Sequence, residues 1–320
     1  MSGLRADKQC VIRPEANTVD VEWPAQSEGA TTTAPVCVTI DVEEYFHIEA
    51  ARQSIRSDDY FRWPTRVEPQ MDMLLALFEK HGVKATLFFL GYIAKKHPKL
   101  VKRCAEAGHE IASHGSQHHR VHHLSQEQFR HDTKASKDCL EDIVGKPVLG
   151  FRAPTWSITQ DTLWALDVLL ELGFVYDASI FPTRHPQYGM PSAPIQPNMR
   201  DTPGGGSIAE IPPLVWQALG RNIPVAGGGY FRQFPLGLMK KGLAQAAANN
   251  RPAVLYFHPW EFDEALPQMP LPWLSRVRTY RGIRGATGRL DHVLGITQHH
   301  TTMAAVAEQL AAGDVALPRA

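Results

Sequence analysis

In the stretch VTIDVEEYF, residues 38–46, three carboxylates fall within four positions directly after an apolar run. Side chains alternate along a strand, so Asp41 and Glu43 face one way and Glu44 the other. Two like carboxylates side by side raise each other's pKa unless a cation lies beside them. The apolar VTI before them and YF after them argue for burial rather than for a solvated strand end, so a bound metal is expected. Its remaining ligands should be histidines or carboxylates. The run ASHGSQHHRVHH, residues 112–123, offers three pairs at four-residue spacing: His114 with His118, His118 with His122, and His119 with His123. Spacing does not choose among them. Position does, because His114 ends the run HEIAS and His118 follows four residues on, while His119, His122 and His123 fall on the loop leading to Ser125.

Such residues need a frame that brings distant strand ends together. Apolar runs VCVTIDV, VKATLFFL, HEIASH, VLGFR, FVYDAS, SIAEIPP and AVLYFH alternate with helical patterns. Met71, Leu74, Leu75 and Phe78 have helical spacing closed by Gly82, and Pro98–Ala107 ends at Gly108. A long helix opens on Ser125, with Gln128 as its capping-box partner, and stops at Gly145. Further helices are expected over Thr159–Leu172, Leu236–Ala248 and Met303–Ala312. Seven strand-like runs of this kind predict an α/β fold with a mostly parallel sheet. With no Gly-rich nucleotide turn after the first strand, a closed or nearly closed, distorted (β/α)7-type barrel is favoured over a doubly wound sheet. The two GGG runs, at 204–206 and 227–229, read as flexible loops. Residues 1–34 read as a loose arm with a short ordered piece near Val19–Trp23, residues 35–263 as the barrel, and residues 264–320 as an Arg-rich helical extension packed on it.

In a parallel barrel the C-terminal strand ends share one mouth. Gathered there are Asp41 and Glu43, His114, Arg152, Asp177 and His258, ionisable groups that packing alone does not call for. A structural ion pair is the plainer reading of Arg152 and Asp177.

Bulk properties narrow the setting. The 320 residues are 43% hydrophobic and 21% charged, enough for a large core, and 33 basic residues balance 33 acidic ones. That balance leaves no whole-chain electrostatic footprint for nucleic acid or anionic lipid. No stretch reaches the roughly 18 unbroken apolar residues of a membrane span, and the N-terminus lacks a secretory apolar core, so a cytoplasmic location is expected. Cys10, Cys37, Cys104 and Cys139 show no CxxC spacing and read as small core residues.

Taken in order, TIDVE, HGSQH, RAPTW, YDAS and YFH resemble the five motifs of the polysaccharide deacetylase superfamily, carbohydrate esterase family four, and span Thr39–His258. The resemblance implies a barrel of that kind and metal-dependent removal of N-acetyl groups from amino sugars. It implies one divalent ion, zinc first with cobalt, manganese or nickel as alternatives, on Glu43, His114 and His118, with Glu44 as the alternative carboxylate. Asp41 would be the general base, held by a bidentate Arg152. The backbone N–H of Thr155 would meet the oxyanion, and His258 would be the acid, its pKa kept high by Asp177. Tyr45, Phe46, Trp156 and Trp260 are stacking walls for sugar rings or ordinary core, and Glu261 and Asp263 read as local caps or ion pairs. Two departures stand out: Val42 separates the two acids of the first motif, and Thr155 follows Pro154 where an aromatic residue is usual. DVEEYFH, FHPWEFD and the Arg-rich tail look most like deacetylases of exosortase-associated exopolysaccharide loci.

The implied substrate is an N-acetylglucosamine-type polymer or its lipid-linked or nucleotide-linked precursor, with no nucleic-acid partner and homo-oligomerisation left open. Two rivals stand beside it: hydrolysis of small linear or cyclic amides, in the manner of allantoinases and imidases, and a non-catalytic carbohydrate-binding protein.

Overall fold

The computed structural model describes residues 34–52 and 54–313. The expected arm, residues 1–34, lies almost wholly outside them, as does Cys10. The first strand, β1 (Val36–Val42), is buried at every position. Both of its faces are covered, which is why it reads as an unbroken apolar run instead of an alternating one. Four strands follow in parallel: β2 (Thr86–Phe89), β3 (Glu110–Ser113), β4 (Gly150–Phe151) and β5 (Tyr176–Asp177). Then come β6 (Asn198–Asp201), β7 (Ser207–Glu210), a separate two-stranded ribbon of β8 (Val215–Ala218) and β9 (Arg221–Pro224), β10 (Ala253–Phe257) and β11 (His300–Thr301).

The main sheet runs β10-β1-β2-β3-β4-β5-β7-β6, with β11 pairing β1 beside β10 and β2. It is a curled half-barrel and does not close. The free side of β7 is taken by β6, its antiparallel partner, so β10 and β6 remain edges. This is the distorted, not quite closed form of the expected barrel; strand β6 is an addition to it, since its polar NMRD carries no strand signal. The remaining strand runs appear where the sequence places them.

Among the described residues every helix before the last stays out of the small core on the inner face of the sheet, and helices are bounded as their ends dictate. Helix Val67–Lys80 buries Met71, Leu74, Leu77 and Phe78 at three- and four-residue spacing. Helix Gln126–Val144 starts with the reciprocal Ser125–Gln128 capping box and stops at Gly145, whose φ of 67° suits a residue without Cβ. The sequence reading of Gly227–Gly229 as a loose loop is overturned, because Gly227 bridges to Tyr256 on β10 and caps a short helix, Gly228–Gln233. A Cβ on Gly227 would stand 1.6 Å from the Tyr256 carbonyl oxygen, so the glycine serves a close backbone approach. Helices Trp273–Tyr280 and Ala286–Ile296 form part of the expected helical extension, within which the sequence sets bounds only for 303–312.

Alternation along β1 creates two faces with different fates. Val36, Val38, Ile40 and Val42 join the large core beneath the outer helices. Cys37 turns inward to a smaller core with Phe88, Tyr176 and Val254, plugged by Met303, Val306, Ala307 and Leu310 of the last helix, Met303–Ala312. From plug to mouth the inward face of β1 therefore runs Cys37, Thr39, Asp41, apolar below and polar above. No helix among the described residues is long and apolar enough to cross a membrane.

Candidate active site

At the mouth Asp41 Oδ1 accepts a 2.6 Å hydrogen bond from Arg152 Nη1, which also donates to Thr39 Oγ1 at 2.7 Å. The guanidinium is wholly buried between the rings of Phe88 and Trp156, and its Nε turns to the Ala178 carbonyl. The clamp on Asp41 is thus single-pronged rather than bidentate: Nη1 is shared between Asp41 and Thr39, Nε turns to Ala178, and Nη2 has no hydrogen-bond partner among the described residues. Burial works against a charged Asp41, yet Arg152, with His114 and His258 behind it, holds the carboxyl below its ordinary range.

Glu43, His114 and His118 offer one donor atom each within 4.8 Å of one another, and all three are buried. Trp260 Nε1 donates to Glu43 Oε1 at 3.1 Å, while Oε2 has no hydrogen-bond donor although it lies 2.9 Å from His118 Nε2. His114 Nδ1 lies 2.7 Å from the Arg152 carbonyl oxygen, to which it must donate, so Nε2 carries the lone pair. Burial lowers the His114 pKa to about 4 and keeps that lone pair available. An orphaned carboxylate oxygen beside two imidazoles is a donor set that fits one divalent ion. Glu44 does not join it. Its carboxylate accepts the backbone N–H groups of Arg66 and Val67 and the Thr65 hydroxyl, capping helix Val67–Lys80 on the other side of the strand.

His258 follows β10, with Nε2 3.8 Å from Asp41 Oδ2 and 3.9 Å from Glu43 Oε1. Its pKa is raised to about 9: burial pulls it down, and Glu261, then Glu43 and Asp41, more than reverse this. The carboxylate behind it is Glu261, whose Oε2 is 3.6 Å from His258 Nδ1. Glu261 is fully buried and receives Arg232 Nε at 3.1 Å, and Arg232 Nη1 in turn donates to the carbonyls of Thr279 and Arg281.

Asp177 is not in that chain, contrary to expectation. It ends β5, four strands beyond β1, while His258 ends β10 on the other side. It accepts the Ser179 hydroxyl at 2.5 Å and the Ser179 N–H at 3.1 Å, and Ser179 Oγ accepts the N–H of Ala153 at 2.7 Å. Its register neighbour on β7 is Glu210. Burial raises the pKa of both carboxyls, and that of Glu210 the further because Asp177 stands beside it. Asp177 therefore buttresses the turn after Arg152. Glu261 was visible in FHPWEFD as a local cap, and it does accept the His258 N–H at 3.3 Å, but its pairing with the ring and with Arg232 carried no sequence signal.

In that turn, Thr155 and Trp156 both have left-handed backbone, φ 57° and 53°, which is strained for residues with side chains. The Trp156 N–H goes to the Ala153 carbonyl, whereas that of Thr155 has no partner among the described residues. Of the four aromatic residues expected as sugar walls, Tyr45 and Phe46 are wholly buried in a third core with Tyr60 and Ile283 and offer no ring face to a solute. Trp156 is committed to Arg152 and to Tyr256. Trp260 stacks on His258 with centroids 5.4 Å apart and steadies Glu43.

Residues 59–176 match the family model described as Polysaccharide deacetylase, and residues 178–308 match one described as Domain of unknown function (DUF3473). The chain is 31% identical over 123 residues to a peptidoglycan deacetylase of Helicobacter pylori, covering 38% of this chain and 41% of that protein. It is 32% identical over 95 residues to a peptidoglycan-N-acetylglucosamine deacetylase of Bacillus cereus, covering 29% and 34%. The aligned segments thus span less than half the length of these relatives. Among solved structures, a Mycobacterium smegmatis protein assigned to the polysaccharide deacetylases superposes with a TM-score of 0.60 at 19% identity, covering 93% of this chain and 98% of that one. The Puue allantoinase superposes with a TM-score of 0.56 at 16% identity, covering 88% and 92%. At such identities both likenesses are likenesses of fold.

Proposed function

We propose, from the match of residues 59–176 to the family model described as Polysaccharide deacetylase and from the geometry of the mouth, that the chain hydrolyses the N-acetyl group of an N-acetylglucosamine-type amino sugar, in a polymer or in a biosynthetic precursor of one. One observation carries the reading: the Glu43, His114 and His118 donor set lies between a carboxylate held ionised and a histidine held protonated.

Glu43, His114 and His118 would hold the divalent ion, and when bound it supplies Lewis-acid polarisation of the amide carbonyl and a more acidic water. Asp41, ionised and fixed by Arg152, takes the proton from the attacking water as its oxygen bonds to the carbonyl carbon. The Thr155 N–H, which has no partner among the described residues, would receive the developing oxyanion. An amide nitrogen does not leave as an anion, so a proton must reach it as the C–N bond breaks. His258, with a pKa of about 9, carries that proton at neutral pH and gives it to the nitrogen. Acetate and a free amine result. Support for the finer resemblance to exopolysaccharide-locus enzymes comes from the segments DVEEYFH and FHPWEFD, in which Glu44 caps helix Val67–Lys80 and Glu261 stands behind His258.

The test is mass spectrometry of zinc-loaded protein with N-acetylglucosamine oligomers, nucleotide-linked and lipid-linked N-acetyl amino sugars and small cyclic amides, run beside Asp41→Asn. Acetate and free amine released from an amino sugar, and lost in the variant, support the assignment. Ring opening of a cyclic amide alone, or no product from any amino sugar, refutes it.

A further inference from the structure

Away from the mouth, charge collects on the segment that follows it. Residues 265–290 contain Arg276, Arg278, Arg281, Arg284 and Arg289 and no Asp, Glu or Lys, in a chain whose formal net charge is zero. Arg289 lies over Phe231 and donates to the Phe234 carbonyl. The other four are exposed, and the arginine ion pairs among the described residues all involve other arginines. Uncompensated positive charge is therefore concentrated on one segment of a balanced molecule.

The same segment exposes apolar side chains in an ordered way. On helix Trp273–Tyr280, Trp273 is 77% exposed, Leu274 50% and Val277 37%. With about 100° of rotation per residue these three share one outward stripe, flanked by Arg276 on one side and Arg278 on the other, while Ser275 and Thr279 turn inward. Beside the stripe lies an open depression of about 650 Å³, lined by Gln268, Trp273, Arg276, Val277, Tyr280 and Arg281. Single exposed apolar residues are ordinary on protein surfaces, whereas here three of them form one tryptophan-led stripe between arginines.

The helix is anchored firmly enough to bear load. The Tyr280 hydroxyl donates to the Pro267 carbonyl and accepts the Met269 N–H, both at 2.7 Å. Arg232, the partner of Glu261, holds the end of the helix through the carbonyls of Thr279 and Arg281. One side chain thus ties this surface to the group behind His258.

We infer that helix Trp273–Tyr280 docks the protein on an anionic lipid bilayer. Trp273, Leu274 and Val277 enter the boundary between headgroups and acyl chains, and the flanking guanidinium groups reach lipid phosphates on long apolar stems. Charge complementarity chooses the partner: four exposed arginines that make no ion pair with a carboxylate among the described residues suit a continuous negative surface, and the stripe lies on a short helix whose apolar tips need only a shallow, fluid acceptor. The barrel mouth then works beside a membrane surface, where a lipid-attached glycan would be presented.

Flotation of the full chain with vesicles tests this. Vesicles of phosphatidylcholine with about 30% phosphatidylglycerol should carry the protein upward at about 0.05 M salt, and neutral vesicles, or about 0.5 M salt, should not. Arg276→Gln with Arg278→Gln should weaken partition about fivefold per arginine removed, and Trp273→Ser with Leu274→Ser should weaken it at least about tenfold. All four side chains are exposed, so thermal melting of each variant should match that of the parent. Failure to float with anionic vesicles at low salt, or flotation unchanged in both variants, overturns the inference. So does retention on immobilised polyglutamate without flotation, which would give the surface to an acidic polypeptide.

Discussion

Replacing Glu261 by Gln separates the proton relay seen in the structure from the one the sequence implied. His258 acts protonated, and its pKa is raised from 6.5 to about 9, with Glu261 the largest of the raising partners. The sign follows: activity that needs the charged ring is present below that pKa and is lost as pH rises through about 9. Removing the Glu261 charge while keeping an amide oxygen near Nδ1 leaves only Glu43 and Asp41 to oppose burial. With its largest raising partner gone, the ring falls back towards the ordinary imidazole range, about 7. At pH 8 the protonated fraction then drops from about nine-tenths to about one-tenth, a roughly tenfold loss in kcat/KM, while at pH 6 the two enzymes stay within about twofold. The assay is the pH profile of kcat/KM for acetate release, with melting temperature followed in parallel because Arg232 keeps only a neutral partner, at a cost of about 1–3 kcal/mol. Asp177→Asn is the control, since Asp177 bonds Ser179 and faces Glu210 rather than His258. An alkaline limb that stays in place in Glu261→Gln, or one that moves in Asp177→Asn, refutes the relay.

Three other outcomes are expected. Glu43→Gln should lower zinc affinity by at least about 100-fold in a chelator competition, whereas Glu44→Gln should keep the metal and lose about 1 kcal/mol of stability with its helix cap. Gly227→Ala should cost about 3 kcal/mol in urea unfolding, because the new methyl meets the Tyr256 carbonyl at 1.6 Å before anything relaxes; an unchanged midpoint would show that the β10 contact is dispensable. Leu310→Ala should cost about 3 kcal/mol, since the plug helix seals the apolar floor beneath Thr39 and Asp41.

What could be read from the sequence was whatever one strand or one helix end encodes by itself. Buried parallel strands must be continuously apolar, so β1 and β10 announced themselves, and period-two alternation already set Asp41 and Glu43 apart from Glu44. Histidine position at the end of β3 selected His114 and His118 from five candidates. What failed depended on which strand stands beside which. Asp177 sits at a strand end of the right kind but on the wrong side of the mouth, and strand order is a property of the whole sheet. Arg232 lies on a short helix opened by Gly227–Gly229, a run that reads as a loop until Tyr256 is seen pressing on it. Tyr45 and Phe46 adjoin the acidic strand end in sequence, yet the chain turns at once into a 3-10 turn, Tyr45–His47, that buries both rings. A motif therefore locates the atoms that do chemistry, because the strand orients them. The groups that tune those atoms arrive from other elements, as Glu261 and Arg232 do for His258, and only the assembled fold shows them.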